Sequence, residues 1–118
     1  MQDYVMYILI NKEIDTKDGK LIGKISGQVG HAVESYLMKM FKENNLDIIE
    51  KHMANDQKKV LLGCSLAKLE ELEKEGFVAI RDNGLTDLPP KTLTCVNIGV
   101  INKADAPKFV KRLRLYRG

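Results

Sequence analysis

Several polar side chains that could act on a ligand share one side of a helical pattern that runs from about Lys24 to Lys42. At about 100° per residue, four of them fall within roughly 60° of arc: Lys24, Gln28, His31 and Ser35. A cation, an amide and an imidazole can stabilise an anion, orient a water molecule and move a proton. The alternative is an ordinary solvated helix face.

Lys24 falls in the first turn of this helix, where the helix dipole already presents about half a positive charge. A cation there destabilises the helix slightly, so its presence favours a site that holds an anion. Gly27 and Gly30 each lower the helix propensity by up to about 1 kcal/mol relative to alanine. They indicate close approach by a backbone, a ligand or, as the alternative without a function, a neighbouring helix.

A second polar cluster is the loop Arg81–Thr86, which follows a short buried strand. Ligand sites in open α/β sheets lie outside the carboxyl ends of the strands, and the helix that begins near Lys24 starts from the same edge. We therefore expect Lys24 and Asp82 to converge. The alternative is that Asp82 only forms an Asx turn and pairs with Arg81.

Thr94 and Cys95 are neighbours in a β-branched strand, where successive side chains point to opposite faces. If Thr94 faces the site, Cys95 faces away. This alternation argues against a nucleophilic Cys95 activated by His31 and Asp82, since a buried strand cysteine is usually a small hydrophobe. The other histidine, His52, lies among polar residues and is predicted to be exposed.

The changing period of the apolar residues predicts the elements that position these side chains. Strands are expected at 4–10, 58–64, 77–80 and 92–98, and helices at 24–42, 46–53, 66–75 and after Asn102. Helical crossovers favour parallel pairing of the first three strands, and the loop before the fourth favours an antiparallel neighbour. The predicted fold is α/β: a three-layer α/β/α sandwich around a four-stranded mixed sheet, in a single domain of residues 1–118.

The composition, with 44% hydrophobic and 30% charged residues, is that of an ordinary globular protein. No apolar run reaches the roughly 18 residues of a membrane span, and the first residues lack a basic signal region, so we expect no membrane partner. Cys64 and Cys95 lack metal-ligand spacing and indicate reduced thiols in the cytoplasm. No glycine-rich phosphate loop is present, so no cofactor is expected.

Positive charge is concentrated at the end of the chain. Residues 103–118 carry six Lys or Arg and one acid, a balance of +5, whereas the other 102 residues have a balance of −2. The candidates for contact with phosphate groups are Lys111, Arg112, Arg114 and Arg117. The alternative is that these charges only keep the protein soluble.

Taken together, these segments resemble the type 2 peptidyl-tRNA hydrolases over most of the chain. The most specific are Gly23–Ala32, GKISGQVGHA, and Arg81–Thr86, RDNGLT. Pro89–Thr94, Gln57–Val60 and the ending Leu113–Leu115 also match.

This resemblance implies hydrolysis, without a metal, of the ester that joins a peptide to the 3′ end of tRNA, often by a homodimer. The family's functional residues fall on Lys24, Gln28, His31, Asp82, Thr86 and Thr94. Hydrolysis of this ester needs a positioned water molecule and a stabilised oxyanion. We therefore expect Asp82 to hold and deprotonate the water, and Lys24 to stabilise the oxyanion or the 3′ phosphate.

The sequence departs from the family pattern in the second cluster. Asn83-Gly84 stands where alanine-glycine is usual, and the apolar Leu85 replaces a basic residue. Lys91 replaces the glycine of a proline-glycine turn. A non-catalytic RNA- or nucleotide-binding module on the same scaffold therefore stays open. A third possibility is a cysteine-dependent amidase, which the expected facing of Cys95 disfavours.

Overall fold

A computed structural model describes residues 2–84 and 88–118 of the chain. The strands are β1 (Tyr4–Asn11), β2 (Lys59–Cys64), β3 (Val78–Arg81) and β4 (Leu93–Asn102), and the helices are α1 (Ile22–Lys42), α2 (Leu46–Ala54), α3 (Leu66–Lys74) and α4 (Lys108–Arg112). A short 3-10 turn, Lys103–Asp105, precedes α4.

The four strands form one mixed sheet in the order β2-β1-β4-β3. The pairing of β1 with β2 is parallel, and β4 is antiparallel to both of its neighbours. The mixed sheet and the antiparallel contact between β3 and β4 are thus as predicted. The expected pairing of all of the first three strands is wrong, because β4 lies between β1 and β3. The first eight residues of β4 are buried whereas β3 has no buried residue, so β4 gains more from a central position.

Helices cover both faces of the sheet, which confirms the α/β/α sandwich. Alternate side chains of β1 divide between two cores. Met6 and Ile8 pack on the side of α1, and Tyr7 and Leu9 pack on the side of α3 and α4.

Most helix ends lie within two residues of the predicted positions. The Ser65 hydroxyl caps α3 by accepting from Lys68 N at 3.3 Å, and Gly76 follows this helix with a φ of +98°. The last helix differs. Asn102 caps the 3-10 turn instead, and α4 begins separately after Pro107, whose ring nitrogen has no hydrogen to donate.

Buried polar contacts fix α1 on β4, which carries part of the site described below. Asn97 Nδ2 donates to the carbonyl oxygen of Ala32 at 3.0 Å, and the Tyr36 hydroxyl accepts from Val100 N at 3.0 Å. Tyr36 also lies where a side chain on Gly99 would stand: a Cβ there would be 2.9 Å from its ring. Gly99 has a φ of +103°, so this bend needs glycine for two reasons.

The segment after α4 runs along the outer edge of β2. Leu115 bridges Leu62, and Tyr116 N donates to the carbonyl oxygen of Leu61 at 2.9 Å. The segment thereby covers the free hydrogen-bonding groups of an edge strand. It brings Gly118 beside Thr16, in the loop that leads from β1 to α1.

His52 is buried, with 1% of its surface exposed, so the prediction of an exposed histidine is wrong. It lies one helical turn beyond Ile48 and Ile49, which pack against the core on the side of α1. Its Nδ1 has no hydrogen-bond partner among the described residues. Burial, together with the charge of Lys59, lowers the pKa of the imidazole below 6.5.

This lowered pKa predicts that His52 makes the fold less stable in acid. The unfolded chain takes up a proton near pH 6.5, whereas the folded chain resists it, so stability falls as the pH drops below about 6.5 towards the folded-state pKa. His52→Gln should reduce the loss of Tm between pH 7 and pH 5, measured by thermal melts. Ala54→Gln, an exposed change on the same helix, should keep the wild-type slope. Equal slopes for His52→Gln and wild type would contradict this account.

Candidate active site

Lys24 and Asp82 meet at one edge of the sheet. Lys24 Nζ donates to Asp82 Oδ1 at 2.9 Å. The two side chains come from the first turn of α1 and from the residue after β3. They converge because β1 and β3 are both antiparallel to β4, so their carboxyl ends share an edge. The Lys24 side chain is 20% exposed and the Asp82 side chain 3% exposed.

The second oxygen of Asp82 is also occupied. Oδ2 accepts from Gly84 N at 2.7 Å, so the Asx turn considered as the alternative is present alongside the ion pair. Arg81 does not pair with Asp82; it pairs with Glu73. The Lys24 ammonium, and then the Gly84 N–H, hold the pKa of Asp82 below its ordinary value of 3.8. Asp82 is therefore a carboxylate at neutral pH and a weak base.

Thr94 and Cys95 both reach α1, so the expectation that they face opposite sides is wrong. In the pairing of β3 with β4, Ile80 lies opposite Cys95 and Arg81 lies opposite Leu93. Thr94 is therefore the extra residue of a β-bulge, which interrupts the alternation of side chains. Bulges commonly re-aim a side chain beside a functional site.

The bulge brings the Thr94 hydroxyl to Gln28. Two acceptors compete for the one hydrogen of the Thr94 hydroxyl: Gln28 Oε1 lies 2.8 Å from Thr94 Oγ1, and the carbonyl oxygen of Ile80 lies 3.0 Å from it. Thr94 has no exposed surface and Gln28 has 7%. Thr94 can therefore act on a ligand only through Gln28, which lies one turn after Lys24 on α1.

Cys95 is buried and points at the backbone of α1. Its Sγ donates to the carbonyl oxygen of Gln28 at 3.6 Å. Burial raises the pKa of the Cys95 thiol to about 11, so little thiolate exists at neutral pH. The argument from strand alternation fails, but burial and the raised pKa argue against a cysteine nucleophile on independent grounds.

The other predicted site residues are not part of this ion pair: His31 and Ser35 lie further along α1, and Thr86 is not among the residues that the structure describes. His31 is exposed, about 10 Å further along the helix axis than Lys24, and it forms no hydrogen bond with a described residue. Ser35 is exposed as well. Thr86 lies outside the described residues.

Gly23, Gly27 and Gly30 line the outward face of α1. A Cβ added at any of them would have no atom of the described residues within 4 Å. Packing against a neighbouring helix therefore does not explain these glycines within the described part of the chain. They leave a strip of helix backbone beside Lys24 that no side chain of the described residues covers.

The basic residues of the C-terminal segment are exposed. They are Lys111, Arg112, Arg114 and Arg117. A groove of about 470 Å³ separates Arg117 from the first turns of α1, where it is lined by Ile22 and Ser26. The segment is thus distant in sequence from Lys24 but close to the same end of α1.

Two groups that hold the loop after β3 were missed in the sequence. Glu73 and Lys91 both bind the Arg81 guanidinium. The alternation of β3 was the available signal: Asp82 points to the face of α1, so Arg81 must point to the face of α3, which carries Glu73.

Two negative findings concern the described residues alone. Across residues 2–84 and 88–118, no three His, Cys, Asp or Glu side chains are grouped so that they could hold a metal ion. Within the same ranges, no helix combines the length and the apolar character needed to cross a membrane.

Residues 4–116 match the family model described as peptidyl-tRNA hydrolase PTH2. The chain belongs to this family. It is therefore an enzyme, a hydrolase.

Several curated archaeal proteins named peptidyl-tRNA hydrolase are similar to it. The protein of Staphylothermus marinus is 35% identical over 103 residues, covering 82% of each chain. That of Methanopyrus kandleri is 34% identical over 102 residues, covering 80% of this chain and 86% of its own. That of Nanoarchaeum equitans is 29% identical and covers 95% of this chain and 99% of its own.

The ion pair predicts how the stability of this family member depends on pH. Because the pKa of Asp82 is lowered in the folded state, the pair contributes stability above the unfolded pKa near 3.8, and this contribution is lost as the pH falls through the folded value. Lys24→Met should lower Tm at pH 7 and should narrow its difference from wild type at pH 3. Thermal melts at both pH values measure this. A difference that is equal at pH 7 and pH 3 would mean that Lys24 stabilises the fold without Asp82.

Proposed function

We propose that this chain hydrolyses the ester between a peptide and the 3′-terminal ribose of tRNA, without a metal and with a water molecule held by Asp82. The observation that carries the proposal is the Lys24–Asp82 pair, which combines a cation and a carboxylate at 2.9 Å in a member of this family. The carboxylate can accept a hydrogen bond from water, since the described residues donate one hydrogen bond to each of its oxygens and each oxygen has two lone pairs.

The proposed reaction begins when this water attacks the ester carbonyl carbon. A carbon–oxygen bond forms, and the carbonyl oxygen becomes an oxyanion that the Lys24 ammonium stabilises. The bond to the ribose oxygen then breaks, and a proton from the attacking water ends on that oxygen. Because the pKa of Asp82 is low, its main contribution is to position the water rather than to bind this proton strongly.

Other side chains have supporting roles in this proposal. Gln28 donates or accepts a hydrogen bond at the substrate, and the buried Thr94 hydroxyl holds it there. Thr86 supplies a further hydrogen bond, as the family resemblance implies. His31 relays a proton or orients a second water molecule; its distance from Lys24 along α1 means that it acts through water or substrate.

The tRNA is proposed to lie across the outward face of α1. The exposed glycine strip supports this, because bare helix backbone allows a nucleic acid to approach closely. The C-terminal segment supports it too: Arg117 borders the first turns of α1, and Lys111, Arg112 and Arg114 are exposed. These cations would bind phosphates without reading sequence.

Two further parts of the proposal concern the whole molecule: a cytoplasmic location and a homodimer. Exposed apolar side chains on α1 and α2, Met38, Phe41, Leu46 and Met53, support self-association. Sedimentation at several concentrations measures the mass in solution.

A non-catalytic RNA-binding module is the second candidate. The apolar Leu85, in place of the family's basic residue, is the departure from the family pattern that keeps this candidate open. The carboxylate Asp82 argues for the enzyme, because a negative charge repels phosphate and a pure binder gains nothing from it.

The first test is the release of peptide from an N-blocked aminoacyl-tRNA. Asp82→Asn keeps the shape of the side chain and removes its charge, so turnover should fall at least about 100-fold. RNA binding should hold or improve, because a charge that repels phosphate is gone. Turnover and binding are measured on the same preparation.

Two controls test whether the loss of turnover is specific to Asp82 and whether the reaction needs a metal ion. Asp47→Asn removes an exposed carboxylate from α2 and should leave turnover unchanged. Wild-type activity should survive EDTA. Near-normal turnover in Asp82→Asn would refute the mechanism, and a wild type that binds RNA without hydrolysis would favour the binding module.

The second test concerns the basic segment. Replacing Arg112, Arg114 and Arg117 together by glutamine should raise KM for the tRNA substrate and leave kcat nearly unchanged, because uniform binding is lost. Each lost phosphate contact should reduce the salt dependence of binding by a little under one unit of slope.

Binding at several salt concentrations decides between this role and solubility. Replacing Lys39 and Lys42, at the far end of α1, together with Lys74, in the last turn of α3, by glutamine also removes three charges and should leave the slope unchanged. If plots of log K for tRNA binding against log salt concentration had the same slope for wild type and the triple variant, the arginines would not contact phosphates.

A further inference from the structure

One guanidinium joins three parts of the fold next to Asp82. Arg81 Nε donates to Glu73 Oε2 at 3.0 Å, and Nη2 donates to Glu73 Oε1 at 2.6 Å. The third nitrogen, Nη1, donates to the carbonyl oxygen of Lys91 at 2.7 Å. Arg81 therefore links α3, the end of β3 and the segment that returns into β4.

The Lys91 peptide is bonded to the backbone of Asp82. Lys91 N donates to the Asp82 carbonyl oxygen at 2.6 Å, and Asp82 N donates to the carbonyl oxygen of Thr92 at 2.8 Å. Lys91 has a φ of +64°, a left-handed conformation that a residue with a side chain keeps only where its surroundings hold it. Because both peptide groups of Asp82 are tied to this segment, a shift of Lys91 moves Asp82.

We propose that Arg81 is a positioning residue for the reaction: anchored on Glu73, it holds the Lys91 carbonyl and so keeps the Asp82 carboxylate against Lys24 on the other face of the sheet. Its effect on catalysis rests on the function proposed above. Its effect on the Asp82 side chain does not.

The ion pair between Arg81 and Glu73 is partly exposed, which favours a role in positioning Asp82 over a role in the stability of the whole fold. The Arg81 and Glu73 side chains are 39% and 32% exposed, and ion pairs in water contribute little to the free energy of unfolding. A displacement of about 1 Å at a catalytic group, in contrast, can slow a reaction by about 100-fold. The planar fork of arginine can bind two carboxylate oxygens and a carbonyl at once, whereas lysine has a single nitrogen.

Several charged groups lie around Asp82, and a change in any of them can alter the pKa of its carboxyl. Lys24 faces it from α1, and the Gly84 N–H faces it from its own loop. Arg81 and Lys91 carry positive charges on the adjoining segments, and Glu73 balances Arg81. Loss of the Arg81 charge could therefore act on Asp82 through space, so the decisive variant must keep that charge.

Arg81→Lys keeps the charge and loses the fork. We expect its Asp82 carboxyl, followed by ¹³C NMR, to titrate at a higher pH than in wild type, because contact with Lys24 is loosened. We expect kcat to fall about 10- to 100-fold, with KM within about twofold. Arg81→Gln should show the same changes. Asp47→Asn, which breaks an exposed ion pair on α2, should leave the Asp82 titration and kcat at their wild-type values.

Each other outcome overturns part of the account. An Asp82 titration like that of wild type in both Arg81 variants would refute the positioning role. A shift in Arg81→Gln alone would also refute it, since only the charge would then matter. A wild type without hydrolase activity, whose Asp82 titration still shifts in Arg81→Lys, would refute the proposed function and leave the positioning role standing.

Discussion

The contact between Lys24 and Asp82 depends on most of the fold. The two residues are 58 positions apart, and each belongs to a different connection of the sheet. Because β4 is antiparallel to both β1 and β3, the carboxyl ends of the latter two strands lie together. A cation that disfavours the start of α1 by itself thereby gains a carboxylate partner, and a nearly buried carboxylate gains a compensating charge.

Polar contacts on β4 align the two sides of this pair. Asn97 and Tyr36 tie α1 to the strand along its length, and the bulge at Thr94 turns a hydroxyl towards Gln28. These groups are buried and hydrogen-bonded, so a change in the register of β4 would leave several of them without partners. The site is therefore built on a rigid interface between α1 and β4, whereas the tRNA-facing surface proposed above is bare and exposed.

Local patterns in the sequence determined much of this protein. A continuous apolar run placed β1, and β-branched residues placed β4. The apolar stripe placed α1, and Ser65 and Gly76 bounded α3, because caps and buried stripes depend on residues close together in the chain. The spacing of Lys24 and Gln28 and the position of Asp82 after a strand also located the candidate site. The motifs also indicated the family to which the chain belongs.

Only the tertiary structure decided what depends on pairing between distant segments. The sequence could not reveal that β4 enters between β1 and β3, or that a bulge at Thr94 places its hydroxyl and the Cys95 thiol on one face. Strand alternation holds only where the register is unbroken, and the register is set by the partner strands. His52 was misplaced for a similar reason, since its polar neighbours in sequence are not its neighbours in space. The Arg81 contact with Lys91 likewise exists only once α3 and the returning segment have packed on either side of the β3 end.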